Sequence, residues 1–318
     1  MKLPKGVSLL EGTKLEFLNF DNVLHAGKHD RKHRVWGYIS IIYSDSLDLL
    51  FLKNGEPFNA ARLTPKARKI VPINDIIKRA KETKLGIVSV YSVDEELIKM
   101  IIATIASKPI KNALKADKIK VGLLFKKLAE KKFNGFLHLK RGLEESFIYY
   151  SHGNLKGAYI AGNHDKIRDQ NRIAELFSSI PNITIDIYER ESSEEEQAPP
   201  AMVEMFYTIF TKIFQGLGKA LGESLVIKTA IKGRASIQKS FPFMKNVKIN
   251  PDLSVSGEIM ASSDQLIKAF GNWLNNLVET FTTFLGDETT KIVKDAISDY
   301  RFVLKSSGFF KITKITMD

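Results

Sequence analysis

Apolar and polar residues alternate most clearly in two stretches that superpose without a gap at an offset of 98 residues. Gly37-Tyr38-Ile39-Ser40-Ile41 lies on Gly135-Phe136-Leu137-His138-Leu139, Leu49 to Leu52 on Phe147 to Tyr150, Gly55 on Gly153 and Ala60 on Ala158. A period of two predicts half-buried strands, so each copy reads as a short helix, a strand opening with glycine, a second strand, a tight turn and a third strand ending in alanine. The turns are Lys53-Asn54-Gly55-Glu56 and Ser151-His152-Gly153-Asn154, where glycine supplies the positive φ of a two-residue hairpin loop. A helical segment and one more alternating strand follow in each copy. The first has Ile73 to Thr83 and then Ile87 to Tyr91; the second has Gln170 to Ser178, capped by Asp169 with Ile173, Leu176 and Phe177 on one face, and then Ile183 to Tyr188. A helix from Glu95 to Ser107 joins the copies, and Pro109 stops it.

Beyond residue 200 the period changes to that of a helix. Met202, Phe206, Ile209, Ile213 and Leu217 recur at helical spacing, and Val203, Phe210, Phe214 and Leu221 widen the stripe beyond that of a lightly packed surface helix. A second helix runs to about Lys239, where Phe241-Pro242 ends it, and Asn246 to Met260 alternates as a hairpin around Asn250-Pro251-Asp252. Ser262 with Gln265 forms a capping box for a helix to about Leu285, Asp287 starts another through Leu304, and Lys311 to Ile315 reads as a last strand. The expected fold class is therefore α+β: two small duplicated α+β domains with antiparallel sheets, then a helix-rich domain with one β-hairpin. Their bounds are 1–108 and 109–190, an acidic proline-containing linker at 191–200 (ESSEEEQAPP), and 201–318.

Composition narrows the chemistry. With no cysteine there is no disulfide framework, thiolate nucleophile or cysteine-ligated metal. The first residues have no apolar core of signal-peptide length, and Glu204, Lys212 and Lys219 interrupt the most apolar stretch, so a cytoplasmic chain with no transmembrane helix is expected. The net charge of +12 divides into +12 for residues 1–190, −4 for the linker and +4 for the remainder, a bias toward acidic partners located in the first half.

The duplicated unit resembles the PATAN family, a prokaryotic signalling-associated domain. The match is carried by Gly37-Tyr38-Ile39, Gly55-Glu56-Pro57-Phe58-Asn59-Ala60, Gly135-Phe136-Leu137 and Gly153-Asn154-Leu155-Lys156-Gly157-Ala158, across roughly residues 14–190. The resemblance implies an adaptor in phosphorelay-like or small-GTPase-linked signalling and brings no catalytic residues; unlike the commonest arrangement, no receiver domain is attached. The whole chain is also similar to an uncharacterised archaeal family beginning M-x-L-P-x-G.

Four sequence features bear on chemistry. Asp21, His25, His29 and His33 recur every four residues, a spacing that can bind zinc or nickel, but Lys28, Arg31, Lys32 and Arg34 oppose a cation there and Gly27 interrupts the run, so a solvated basic helix is preferred and no metal is expected. Asn163-His164-Asp165 can be read as an acid–base pair; without a nucleophile elbow, a metalloprotease motif or a Walker lysine beside it, a capped loop is preferred. Gly216 to Gly222 imitates a dinucleotide loop, but it ends a helix instead of following a strand and reads as close packing. The basic clusters Lys28 to Arg34, Arg62 to Lys69, Lys78 to Lys84 and Lys126 to Arg141 suit phosphates, against the plain alternative of a solvated lysine-rich surface.

The sequence thus predicts no catalytic residue and no cofactor. Gly37, Gly55, Gly135 and Gly153 are assigned to structural turns, and Phe206, Phe210, Phe214, Trp273 and Leu277 to a seam for a protein partner or a homodimer. The expected function is a non-enzymatic cytoplasmic adaptor. The alternative is a nucleic-acid-associated protein using Lys28, Arg31, Lys32, Arg34, Arg62, Lys66, Arg68 and Lys69.

Overall fold

The computed structural model describes residues 1–26, 36–119, 121–179, 182–189 and 196–316. It forms an α+β protein of two compact units: residues 1–71 with 76–194, and residues 72–75 with 195–318.

The first unit runs β1 (Val7–Lys14), α1 (Phe20–Ala26), β2 (Gly37–Ile42), β3 (Leu47–Lys53), β4 (Glu56–Leu63), β5 (Arg68–Ile70), α2 (Ile73–Glu82), β6 (Ile87–Ser92) and α3 (Glu95–Ala106). It then repeats as β7 (Lys111–Lys115), α4 (Val121–Glu130), β8 (Gly135–Arg141), β9 (Glu144–Ser151), β10 (Asn154–Tyr159), β11 (Lys166–Ile167), α5 (Gln170–Ser179) and β12 (Thr184–Glu189). Each copy builds a six-stranded antiparallel sheet in the same order, β1-β6-β2-β3-β4-β5 and β7-β12-β8-β9-β10-β11. The last strand of each copy therefore lies between its first two. Both edge strands at this end, β1 and β7, are missing from the sequence prediction. β1 is irregular, with shifts of register between Ser8 and Thr13, and β7 is mostly exposed, so neither displays the alternation of a half-buried strand.

The hairpin turns are of the mirror-image type: Asn54 and Gly55 have φ of 53° and 79°, and His152 and Gly153 have 51° and 76°. Gly37 and Gly135 are not turn residues, which corrects the expectation for them. Each opens a strand, and a Cβ there would stand 2.2 Å from the Tyr91 carbonyl oxygen or 2.1 Å from that of Tyr188, on the inserted strand. Glycine at these positions lets the inserted strand approach.

The two copies do not stand as separate compact domains, as bounds at 108 and 109 imply. One face of each sheet carries large apolar side chains that meet over α3: Tyr38, Leu49 and Phe51 from the first sheet and Phe136, Phe147 and Tyr188 from the second share a core with Leu97, Ile98 and Ile101. Burying both faces against one helix removes apolar surface that neither copy covers alone. The opposite face of the second sheet has its own cluster, in which Leu137, Ile148 and Ile185 pack with Phe125 and Leu128 of α4 and Ile173 of α5.

The second unit contains α6 (Pro200–Leu221), α7 (Glu223–Ile237), the hairpin β13 (Lys248–Ile249) and β14 (Val255–Ser256), α8 (Ser263–Leu285), α9 (Asp287–Ile297) and α10 (Arg301–Ser306). Ser262 and Gln265 form the expected reciprocal capping box. Gly216 and Gly218 lie inside α6, where an added Cβ would press on Ile292 and Leu253, in keeping with close packing. Three expectations fail here. Gln197 and Ala198 are buried, and the Ala198 amide donates to the Ala261 carbonyl at 2.8 Å, so the end of the 191–200 segment belongs to the helical unit; residues 191–195 lie outside the described residues. The helix after Gly286 breaks at Ile297, where the Ser298 hydroxyl donates to the Asp295 carbonyl at 2.8 Å and a short 3₁₀ turn intervenes. The segment Lys311–Ile315 is not a strand: Asn275 of α8 accepts from the Lys314 amide at 2.7 Å and donates to the Ile312 carbonyl at 2.9 Å, meeting backbone needs that a sheet would otherwise meet.

Candidate functional site

The groups of the first unit with catalytic potential are its buried charges. Register places Lys140 opposite Glu145 and His138 opposite Asp186, so these four share the inner face of the second sheet. Glu145 accepts from both terminal nitrogens of Arg68, a residue of β5 in the other copy, and lies 2.9 Å from His138 Nε2. Burial alone would raise the Glu145 pKa, but hydrogen bonds from His138 and Arg68 outweigh it and hold the carboxyl down at about 2. Asp186 accepts from Lys140 Nζ at 2.6 Å and from the Ala113 amide at 2.8 Å. His138 is 1 % exposed and stacks on Phe147 at 5.0 Å, with Nδ1 unbonded and 3.9 Å from Asp186. An imidazole between two carboxylates has the parts of a proton relay. Here the ring is buried and both carboxylates are paired with cations, and the Arg68–Glu145 pair ties one copy to the other.

A second charged group lies on the outer face of the first sheet. Fully buried Asp48 takes two hydrogen bonds from Arg62, at 2.7 and 2.8 Å, and a longer one from Arg79 at 3.4 Å. Arg79 also binds Ser46 and Asp45, each at 2.8 Å, and covers the Tyr43 ring at 3.8 Å. Burial, aided by Asp48, pushes the Tyr43 hydroxyl up to about 12.

The Asn163-His164-Asp165 motif falls in the loop between β10 and β11, in a groove of about 220 Å³ with Pro4, Gly6 and Asp94. His164 Nδ1 bonds the Gly6 carbonyl, the Lys5 amide donates to the Asn163 carbonyl at 3.0 Å, and the Tyr159 hydroxyl donates to Asp94 at 2.6 Å. Burial and that bond to Asp94 raise the Tyr159 hydroxyl far above its ordinary value. The histidine ties down the N-terminal segment, which fits a loop role better than acid–base work.

Exposed apolar surface gathers at one end of the first sheet. Ile42 and Ile87 are cross-strand partners on the inner face, beyond the reach of α3, and remain 47 % and 44 % exposed. The Leu15 amide donates to the Gly86 carbonyl at 3.0 Å, which brings the turn carrying Phe17 beside Leu85; these two are 74 % and 79 % exposed. Lys14, next in the row after Ile87, reaches over the Phe17 ring at 5.8 Å, and Lys84 is exposed beside Leu85. Four bare apolar side chains edged by lysines form a patch of the kind that marks interaction sites.

The residues singled out by sequence fall elsewhere. Phe206, Phe210, Phe214, Trp273 and Leu277 do not form a surface seam. All five are buried in the core of the helical unit, where Phe210 stacks on Trp273 at 4.6 Å and the indole N–H donates to the Ala230 carbonyl at 3.3 Å. Their stripe is broad because α7, α8 and α9 surround α6, so the chain itself covers it. Of the nucleic-acid candidates, Arg62 and Arg68 are occupied by Asp48 and Glu145, whereas Lys66 and Lys69 are exposed. Lys28, Arg31, Lys32 and Arg34 lie outside the described residues, as do His29, His33 and the side chain of His25. Asp21 pairs with Lys81 at 2.6 Å. Among the described residues, no group of three or more histidine, aspartate or glutamate side chains is placed to hold a metal, and no helix is long and apolar enough to cross a membrane.

No protein-family model, curated protein or solved structure matches the chain.

Proposed function

We propose that the protein is a non-enzymatic adaptor whose first unit holds an acidic, apolar segment of a partner protein on the patch formed by Phe17, Ile42, Leu85 and Ile87. The exposure of these four side chains at the open end of an otherwise buried sheet face carries the reading. Charge complementarity defines the occupant: residues 1–190 hold the whole of the molecule's +12, and Lys14 and Lys84 border the patch. The pairing of the buried carboxylates with arginine, lysine and histidine supports a structural role for them over a catalytic one. The resemblance of the tandem repeat to PATAN domains points the same way.

The test is co-purification of the tagged full-length protein from its own cells, with and without nuclease, beside the variant Leu85→Asp/Phe17→Ser. The expected result is a stoichiometric protein companion that survives nuclease and falls at least tenfold in the variant. A companion recovered equally with the variant refutes the patch. Nucleic acid in the untreated sample, with protein companions lost on digestion, replaces the adaptor reading with one based on exposed lysines such as Lys66 and Lys69.

A further inference from the structure

The two copies differ at equivalent positions near one end of their sheets. In the first, Tyr43, Ser46, Asp48 and Arg62, with Arg79 laid across them, form an interlocked polar group at one end of the outer face of the sheet. Ninety-eight residues later the same positions hold Arg141, Glu144, Ser146 and Ile160. The buried carboxylate and its guanidinium have become a hydroxyl and an alkyl chain. At this place the second copy has a cavity of about 120 Å³, floored by Leu139 and Ile148 and walled by Ile160, Ile173 and Ile183.

We infer that this cavity is a binding site for a small neutral molecule with an apolar body and one hydrogen-bond acceptor. The walls set the body: five aliphatic side chains surround it. The cations of the rim are already paired with carboxylates. Arg141 is paired with Glu144 at 2.9 Å and Lys140 with Asp186 at 2.6 Å, so neither cation is free to meet a bound anion. Ser146 supplies the polar contact. Its oxygen accepts from the Ala161 amide at 2.9 Å, and among the described residues its own O–H has no acceptor, which leaves it to donate to a carbonyl or ether oxygen. The volume suits a ligand of about six heavy atoms, since an apolar cavity of about 150 Å³ accommodates benzene. This site is independent of the partner-binding patch, which lies on the other copy.

Cyclopentanone, with valerate as the anionic comparison, is the probe, followed by isoleucine-methyl NMR on the full chain. Saturable shifts confined to Ile148, Ile160, Ile173 and Ile183 are expected for cyclopentanone, with valerate at least tenfold weaker. Ser146→Asp/Ile160→Arg restores the polar pair of the first copy and should abolish the shifts. Ile160→Phe, which only fills volume, should do the same if the double variant does not fold. Absence of saturation at those methyls, valerate binding as well as cyclopentanone, or undiminished binding by a folded filled variant overturns the assignment.

Discussion

At the scale of single residues, the strictest demands fall on backbone approach. Gly135 faces the Tyr188 carbonyl so closely that a methyl group would overlap it at 2.1 Å, with no flexible side-chain end to yield. Gly135→Ala should therefore lose about 3 kcal/mol or more by urea unfolding. Gly142→Ala is the control: Gly142 also has a positive φ, 57°, but an added Cβ meets nothing within 4 Å, so the cost should stay near 1 kcal/mol. An equal loss in both would show that conformation and not strand approach is the constraint. The sequence marked Gly135 by its repetition at Gly37, yet a repeated glycine looks the same whether it serves a turn or a crowded strand. Only the partner strand, 53 residues away, separates the two cases.

At the scale of elements, the sheets are joined by a charge pair whose arginine, Arg68, the sequence offers only in the alternative, nucleic-acid reading. Arg68 on β5 satisfies Glu145 on β9, and with His138 it keeps the carboxyl ionised to about pH 2 against the usual 4.5. A depressed folded-state pKa contributes stability that is complete above the ordinary value and disappears as pH falls from about 4.5 through about 2. The shift corresponds to about 3 kcal/mol. Glu145→Gln should flatten the pH dependence of unfolding in that window, measured by denaturant titration at successive pH values; an unchanged slope would mean that other carboxylates govern acid unfolding. A run of basic residues carries no sign of a carboxylate 77 positions later, so the sequence alone leaves Arg68 between a solvated surface and an alternative phosphate contact. The central strands were legible, since one buried face imposes alternation. β1 and β7, at the edges, were not, since exposure on both faces removes the pattern that betrays a strand. The patch residues Phe17, Ile42, Leu85 and Ile87 escaped notice for a related reason: each continues an apolar rhythm that elsewhere means burial.

At the scale of the molecule, every residue of the helical core lies between Ala198 and Ile315, and the clusters of the sheet unit lie between Leu3 and Tyr188. Separate cores predict separate cooperative transitions in calorimetry. Trp273→Ala, which removes a fully buried indole, should lower one transition by about 3–5 kcal/mol and leave the other within about 0.5 kcal/mol. A matching fall in both would show that the units unfold as one. Helix-rich and strand-rich halves were separable from sequence because the hydrophobic period changes near residue 200, whereas the fusion of the two repeats was not, because nothing local reveals that α3 is shared.

The insertion of the last strand of each copy between its first two bears on the time course of synthesis. As the chain leaves the ribosome, β3, β4 and β5 can each pair with the strand made just before, but β1 has no partner until residues 87–92 emerge, and β7 none until 184–189. For that interval each copy exposes an unpaired edge where its sheet will later be continuous. The nascent protein thus passes through two windows of vulnerability to wrong strand exchange, including exchange between copies of similar sequence, and each closes only when its final strand arrives.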